Sequence, residues 1–358
     1  MLVSEVVNSK SIALAATEDA SNKIPFLGLN WFPEDSKAGI DLAWIKRNNG
    51  LPVSLAPSNF DALPTIRARE GLAKEKTQMA FFREEMFISE TDAQEIDRVK
   101  DADDPYLASA VKSIYDDTNT LLAGARVVPE RMRMQLLATV NGHPMIGIES
   151  DGVKYAYDYD PNGEYASTHY KKLTSTAMWS DTTNSTPITD LNNARKALKK
   201  LGKEPKYVLM NSNTFEYLID NAQVRNSILA QNITASIEVD DETVVSVIKK
   251  RTKLTIVIYD KMYKDEAGNE KYFYPDNKVT LLPDYNLGKT WFGTTPEERT
   301  GRQKDDVDVT IFDKGIAVAV VEVYGPPAKT KTIASEVVLP SYEEMDATYV
   351  IDVAESNF

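Results

Sequence analysis

The sequence has no cysteine. That excludes disulfides, thiolate nucleophiles and thiolate metal ligands outright, and it fits synthesis inside a cell. Only two histidines, His143 and His169, occur in 358 residues. Neither has a partner at H-x-x-H or H-E-x-x-H spacing, so both read as ordinary loop or strand residues. No apolar run approaches the ~20 residues that span a bilayer. The N-terminal MLVSEVVNSK lacks a basic segment followed by an apolar core, so neither a membrane partner nor a secretory signal is expected. A basic surplus is missing too: 41 Lys and Arg stand against 54 Asp and Glu, a net charge of −13. A clamp on nucleic acid normally carries the opposite balance. Negative charge of this size instead helps keep subunits soluble before they associate.

Chemical motifs are equally scarce. There is no G-x-G-x-x-G, Walker A or G-x-S-x-G pattern. The acidic run Asp101 to Asp104 lacks the twelve-residue spacing and terminal Glu of a calcium loop, and reads as a helix cap. Glu84 and Glu85 are adjacent acids, but a solvated face or a subunit salt bridge explains them better than acid–base chemistry. Tyr155, Tyr157 and Tyr159 fit sheet packing better than a base-stacking platform. No catalytic residue, cofactor or metal is expected, and the chain does not read as an enzyme.

What is present is a long helix-like stretch, Phe81 to Gly142. Asp103 and Asp104 precede Pro105, an acidic cap followed by a proline at the first helical position. Tyr106, Leu107, Ala110, Val111, Ile114 and Tyr115, then Leu121 and Leu122, recur at the helical period. Gly124 and Pro129 predict a kink or break. Glu130 to Thr139 resumes the helix, and Asn141-Gly142 ends it. A shorter amphipathic piece is expected near Thr91 to Lys100.

The first quarter looks different. Residues 1 to about 24 carry little pattern and predict an extended arm. Phe26, Trp31 and Phe32 lie beside prolines and Gly28, so they need a surface to bury them. Gly39 to Glu70 has an imperfect strand alternation around Trp44, a turn at Asn48-Asn49-Gly50, and three prolines that argue against an interior sheet. Ile66, Ala68 and Glu70 lie on one side of an extended chain, Arg67 and Arg69 on the other. A two-stranded ribbon is rarely stable alone, so this excursion should lie on another body.

After the long stretch, helices and strands alternate at short spacing, which argues for an α+β or α/β domain. Expected helices run over Pro187 to Leu201, capped by Asp190; over Thr214 to Asn221, capped by Ser212; and onward from Asp240 or Asp241. Expected strands are Lys206 to Met210, Leu254 to Tyr259, Val279 to Leu282 and Gly315 to Tyr324, with a hairpin over 263–278 tipped by Gly268-Asn269. The acidic tail from Tyr342 is expected to end exposed. Charge also segregates: acids crowd 84–104, while Arg67, Arg69, Lys74 and Lys76 precede them and Arg126, Arg131 and Arg133 follow. Such separation suits lateral pairing of copies.

Taken in order, the arm, the proline-broken hairpin, FFREE, the long helix ending RMRMQLLATVNG and the mixed domain resemble the tailed-phage major capsid proteins, specifically the lambda-like capsid protein E family. The helix ending carries Arg131, Arg133, Leu136, Leu137, Thr139 and Gly142, with Val140-Asn141 lengthening it. Further matches are Tyr259-Asp260 with Tyr263, Tyr274-Pro275 before Val279 to Leu281, Leu287-Gly288 and Leu339-Pro340. The resemblance implies an α+β, Hong-Kong-97-like capsid fold. Its parts would be an N-terminal arm (1–38), an extended loop (39–80), a peripheral domain with a spine helix (81–180) and an axial domain (181–325). A C-terminal segment (326–358) would return to the peripheral sheet through Lys331 to Leu339.

The function implied is structural: hexamers and pentamers of one chain tiling an icosahedral shell around double-stranded DNA, bound without sequence specificity, in a virion made in the bacterial cytoplasm. Further partners implied are a portal and a decoration protein. Only about 80 residues precede the spine, so a separate scaffolding protein, or none, is expected. A Lys–Asn crosslink is not predicted, because no spacing around Lys46 and Asn48 singles one out. Candidate subunit-contact residues are Trp44, Arg67, Arg69, Glu70, Glu84, Glu85, Arg131 and Arg133. An encapsulin-like shell enclosing cargo proteins is the alternative, and a soluble enzyme with an unfamiliar site the third reading.

Overall fold

The computed structural model describes residues 24–45, 74–88, 105–150, 152–229, 240–301, 308–323 and 329–355. The chain divides into two compact units, and it crosses between them several times. The first holds the described parts of residues 1–42, 76–133 and 289–341; the second holds those of 43–75, 134–288 and 342–358.

The first unit is built on a six-stranded sheet. Its order is Glu34–Ser36, Thr290–Phe292, Lys329–Pro340, Ile316–Val323, Asp308–Phe312, with Ala80–Ile88 on the opposite side of Lys329–Pro340. The Ala80–Ile88 pairing is antiparallel and runs from Thr330↔Ile88 to Val338↔Ala80. Phe32, Ala80, Leu122, Met132, Phe292, Val318 and Val338 are buried in this unit. FFREE therefore belongs to a strand and not to the helix-like stretch expected from the sequence. It has no clean two-residue alternation of its own, and the partner strand Lys329–Pro340 decides its conformation.

The helix itself spans Pro105–Ala138 without a break, with Pro129 inside it. A proline removes one backbone bond and crowds the preceding turn, but the flanking turns hold: Leu121, Leu122, Met132, Met134, Leu136 and Leu137 are all buried. Tertiary burial on both sides of the proline holds the helix together across it. Past Ala138, Thr139, Asn141 and Gly142 adopt positive φ and close the end. The amphipathic piece near Thr91 to Lys100 lies outside the described residues.

The second unit contains a five-stranded mixed sheet ordered Tyr170–Lys172, Tyr349–Asp352, Lys278–Leu282, Tyr207–Met210, Thr255–Ile258. Helices Pro187–Lys200, Ser212–Asp220, Ala222–Leu229 and Asp241–Thr252 accompany it. Leu191, Leu198, Val208, Met210, Phe215, Leu218, Val244, Ile248, Val279 and Leu281 share one core. Lys278–Leu282 is buried at every position, as a central strand covered on both faces should be. Two local expectations need correction. Asn211, and not Ser212, caps Ser212–Asp220 by accepting the Thr214 N–H. Asp190 does not cap Pro187–Lys200; its carboxylate lies inside and accepts from Lys171 and Trp179.

The tail ends on an exposed Glu355, as expected, but most of it is buried. Tyr342, Val350, Ile351 and Val353 are buried, and Tyr349–Asp352 lies between two other strands. Its acids are accommodated by pairing: Lys203 donates to Glu344 at 2.9 Å and Lys278 to Asp352 at 2.8 Å.

Candidate assembly surface

The strand Ala80–Ile88 offers the exposed charges that the sequence singled out. Arg83, Glu84, Glu85 and Phe87 are exposed. Side chains alternate across a strand, so Phe81, Arg83, Glu85 and Phe87 share one face and Phe82, Glu84 and Met86 the other. Within the chain, Arg83 donates to Glu297 at 3.0 Å and Lys331 to Glu85 at 2.7 Å. Both bridges are half in water, so each contributes about 0–1 kcal/mol. Ser335 donates to the other oxygen of Glu297 at 2.6 Å, which fixes that carboxylate beneath Arg83.

Arg133 has a different setting from the one expected of a contact residue. It is buried at 1% exposure. Its guanidinium donates to Thr290 Oγ1 at 2.8 Å, to Glu34 at 2.8 Å and to Glu130 at 3.3 Å. Glu130 is fully buried and also accepts the Gly28 N–H at 2.9 Å. Gly28 is required there: a Cβ would come within 2.6 Å of a Glu130 oxygen and 2.7 Å of Arg133 Cδ. Arg133 is thus a strut inside its own unit and presents nothing to a second subunit. The interior wins because a guanidinium can be buried when its donors meet carboxylates in fixed geometry.

Glu336 completes this cluster. It is 1% exposed, and neither carboxyl oxygen has a hydrogen-bond partner among the described residues. Burial raises its pKa well above the usual carboxylate range, with Glu34 and Asp313 adding to the rise and Arg133 opposing it. Its surroundings therefore favour the protonated form. Glu336 was missed in the sequence, although its setting, a lone acid between Ala334 and Val337 in an apolar strand, is a readable signal.

The remaining expected residues scatter. Trp44 is 9% exposed, and its ring stacks on Tyr159 at 5.5 Å, so its own unit covers most of it. Arg131 is partly buried. Arg67, Arg69 and Glu70 lie outside the described residues. Among the described residues, Glu84 and Glu85 are the two candidates that share one strand, on opposite faces of it, with Arg83 on the Glu85 face. A polar cavity of about 400 Å³ near Ser185, Gln223 and Arg251 has no Asp, Glu or His among its lining residues. Among the described residues, no cluster of three His, Asp or Glu could hold a metal, and no helix is long and apolar enough to cross a membrane.

Comparison with known proteins places the chain in a family. The family model for phage major capsid protein E matches residues 13–313. No curated protein matches the chain. Among solved structures, a prophage protein of E. coli CFT073 described as a capsid protein aligns with a TM-score of 0.59 at 14% identity, covering 97% of this chain and 99% of that one. A phage-related protein of Bordetella bronchiseptica RB50 gives 0.55 at 14% identity over 97% and 98%. The capsid of cyanophage A-1(L) gives 0.50 at 13% identity over 98% and 99%. At these identities the likeness speaks for the fold, which is the α+β, Hong-Kong-97-like capsid fold. With the family match extending over most of its length, the chain belongs to the phage major capsid protein E family.

Proposed function

We propose that this chain is the major shell subunit of a tailed-phage virion, made in the host cytoplasm and assembled as hexamers and pentamers into an icosahedral shell around double-stranded DNA. The family match over residues 13–313 carries this reading. It also favours a phage shell over a cargo compartment. The role is structural and non-enzymatic. In this reading the unit with the six-stranded sheet is the peripheral domain, and the unit with the five-stranded sheet is the axial domain. The arm and the loop 39–80 overlap neighbouring subunits, with Arg67, Arg69, Glu70, Glu84, Glu85, Arg131 and the edge of Trp44 as contacts. A separate scaffolding protein, a portal and a decoration protein are the further partners. A net charge of −13 suits an inner wall along which DNA slides without adhering.

Negative-stain microscopy with light scattering on the chain expressed alone tests the proposal. Closed shells or tubes are the expected products, or capsomers that close once a scaffolding protein is co-expressed. A chain that stays monomeric in every such condition would overturn it.

A further inference from the structure

The helix Asp241–Thr252 ends in a run of cations. Lys249, Lys250 and Arg251 fill its last turn, and Lys253 closes it with its N–H on the Lys249 carbonyl. All four are exposed, and among the described residues no carboxylate pairs with their side chains. The rest of this unit behaves differently: ten lysines and arginines between Lys154 and Lys278 each hold a carboxylate. A cation at a helix C-terminus interacts favourably with the backbone dipole, which accounts for one or two such charges. Four crowd like charge together, because Lys249 and Lys250 stand four and three residues before Lys253, the spacing at which like charges repel along a helix. In a chain of net charge −13, carboxylates to neutralise them are in surplus, yet none is placed there.

Arg251 also lines the polar cavity of about 400 Å³, together with Thr183, Asn184, Thr186, Gln223 and Asn226. No acidic and no large apolar side chain lines it. The carboxylate of Asp181, two residues before Thr183, accepts the N–H groups of Thr183 and Asn184. Hydroxyl, amide and guanidinium groups beside flexible ammonium groups are the side chains that contact phosphate oxygens in nucleic-acid complexes. Such interfaces are more polar and more positive than those between proteins. An acidic protein partner normally brings an apolar anchor, and this cavity has no large apolar side chain to receive one.

We propose that Lys249, Lys250, Arg251 and Lys253 form a contact for the phosphate backbone of double-stranded DNA, with Arg251 and the cavity beside it receiving one phosphate. This rests on the shell reading and names where that shell touches its DNA. A helix with its side chains is about 10–12 Å across, and each strand of a duplex presents one phosphate per ~3.4 Å of axis. One copy therefore reaches about three phosphates. Phosphate contacts carry no sequence information, and a salt-sensitive contact of this size lets the duplex slide.

Fluorescence anisotropy of a labelled duplex, titrated with the full chain kept unassembled, tests the site. For three phosphates, log Kobs should fall against log salt with a slope of about −2.7, a loss of about fortyfold between about 50 and 200 mM. Duplexes of unrelated sequence should bind equally. Lys249→Gln with Lys250→Gln should flatten the slope by about 0.9 for each lost contact, and Arg251→Gln should weaken binding at least as much as either lysine change. Lys154→Gln with Lys264→Gln removes the same net charge at two other exposed positions and should change neither slope nor affinity.

No duplex binding at low salt, or equal losses in the two double variants, would overturn the proposal. Tighter binding of a poly-glutamate peptide than of the duplex, lost in the same variants, would reassign the patch to an acidic protein. Shells built by a chain whose duplex affinity ignores K249Q, K250Q and R251Q would sink this contact and leave the shell reading standing. Duplex binding that depends on these residues, in a chain that never builds higher order, would do the opposite.

Discussion

Replacing Arg133 by methionine should cost roughly 3–5 kcal/mol of stability, the range for breaking a buried ion pair by removing one partner. Methionine keeps an apolar stem of similar length, so the loss reports charge pairing and not an emptied cavity. Three contacts vanish together, to Glu34, Glu130 and Thr290. Glu130 keeps the Gly28 N–H but loses its cation while fully buried. Hydrogen bonds to charged groups contribute about 1.5–3 kcal/mol each, and they are not additive when they share one guanidinium. The pair-breaking range is therefore the better guide. Against a total stability of ~5–15 kcal/mol for a folded domain, the change is large.

Urea unfolding of the unassembled chain, followed by circular dichroism, reads the loss as a lower midpoint. Asp35→Asn supplies the comparison. It breaks the Lys289–Asp35 bridge, whose side chains are 46% and 40% exposed, and a pair so placed contributes only ~0–1 kcal/mol. Equal small losses in both variants would refute the argument that Arg133 is an interior strut.

Three further outcomes are expected. Glu336→Gln should flatten the pH dependence of unfolding: a raised carboxyl pKa gives stability at low pH that is lost as pH rises through the folded value, by up to about 1.4 kcal/mol per pH unit. Denaturant midpoints at pH 6 and pH 8 check it, and an unchanged slope in the variant would count against a protonated Glu336. Thr280→Val should cost about 1–3 kcal/mol, because Thr280 Oγ1 donates to the Leu137 carbonyl at 2.7 Å at the buried end of the long helix and also meets Tyr274; thermal unfolding measures it. Asn211→Ala should cost ~1 kcal/mol as a lost cap, and Ser212→Ala much less; the reverse order in denaturant melts would contradict the assigned cap.

Much of the local structure was legible because its causes are local. Pro105 opens the long helix, Asp240 caps Asp241–Thr252 by accepting the Thr243 N–H, and Gly268 turns the Met262–Tyr272 hairpin. FFREE was misread because its charges suit a helix surface as well as an exposed strand edge, and only the distant partner Lys329–Pro340 decides between them. Of the kink or break expected at Pro129, the break is absent for a related reason: burial around Met132 and Leu136 holds the helix across the proline. The six-stranded sheet draws its strands from four separated parts of the chain, and no spacing in the sequence reports such pairing. Among the candidate contacts, Arg133 was recognised as a cation of interest, but its interior position depends on Glu34 and Thr290, 99 and 157 residues away.

The acidic tail is the most instructive case, because Glu355 is exposed while Glu344 and Asp352 are buried. Lys278 and Asp352 are direct partners in the antiparallel register of the central sheet, and both are buried. Asp352 also accepts from the Tyr170 hydroxyl at 2.7 Å, so the ion pair ties three strands at one level. A one-residue slip of Tyr349–Asp352 would turn Asp352 to the other face and leave Lys278 buried without its anion. An unpaired buried charge costs several kcal/mol, whereas the intact pair adds little over well-packed apolar residues. The value of the pair therefore lies in excluding wrong registers. That is a useful property in a strand that must find its place between Lys278–Leu282 and Tyr170–Lys172.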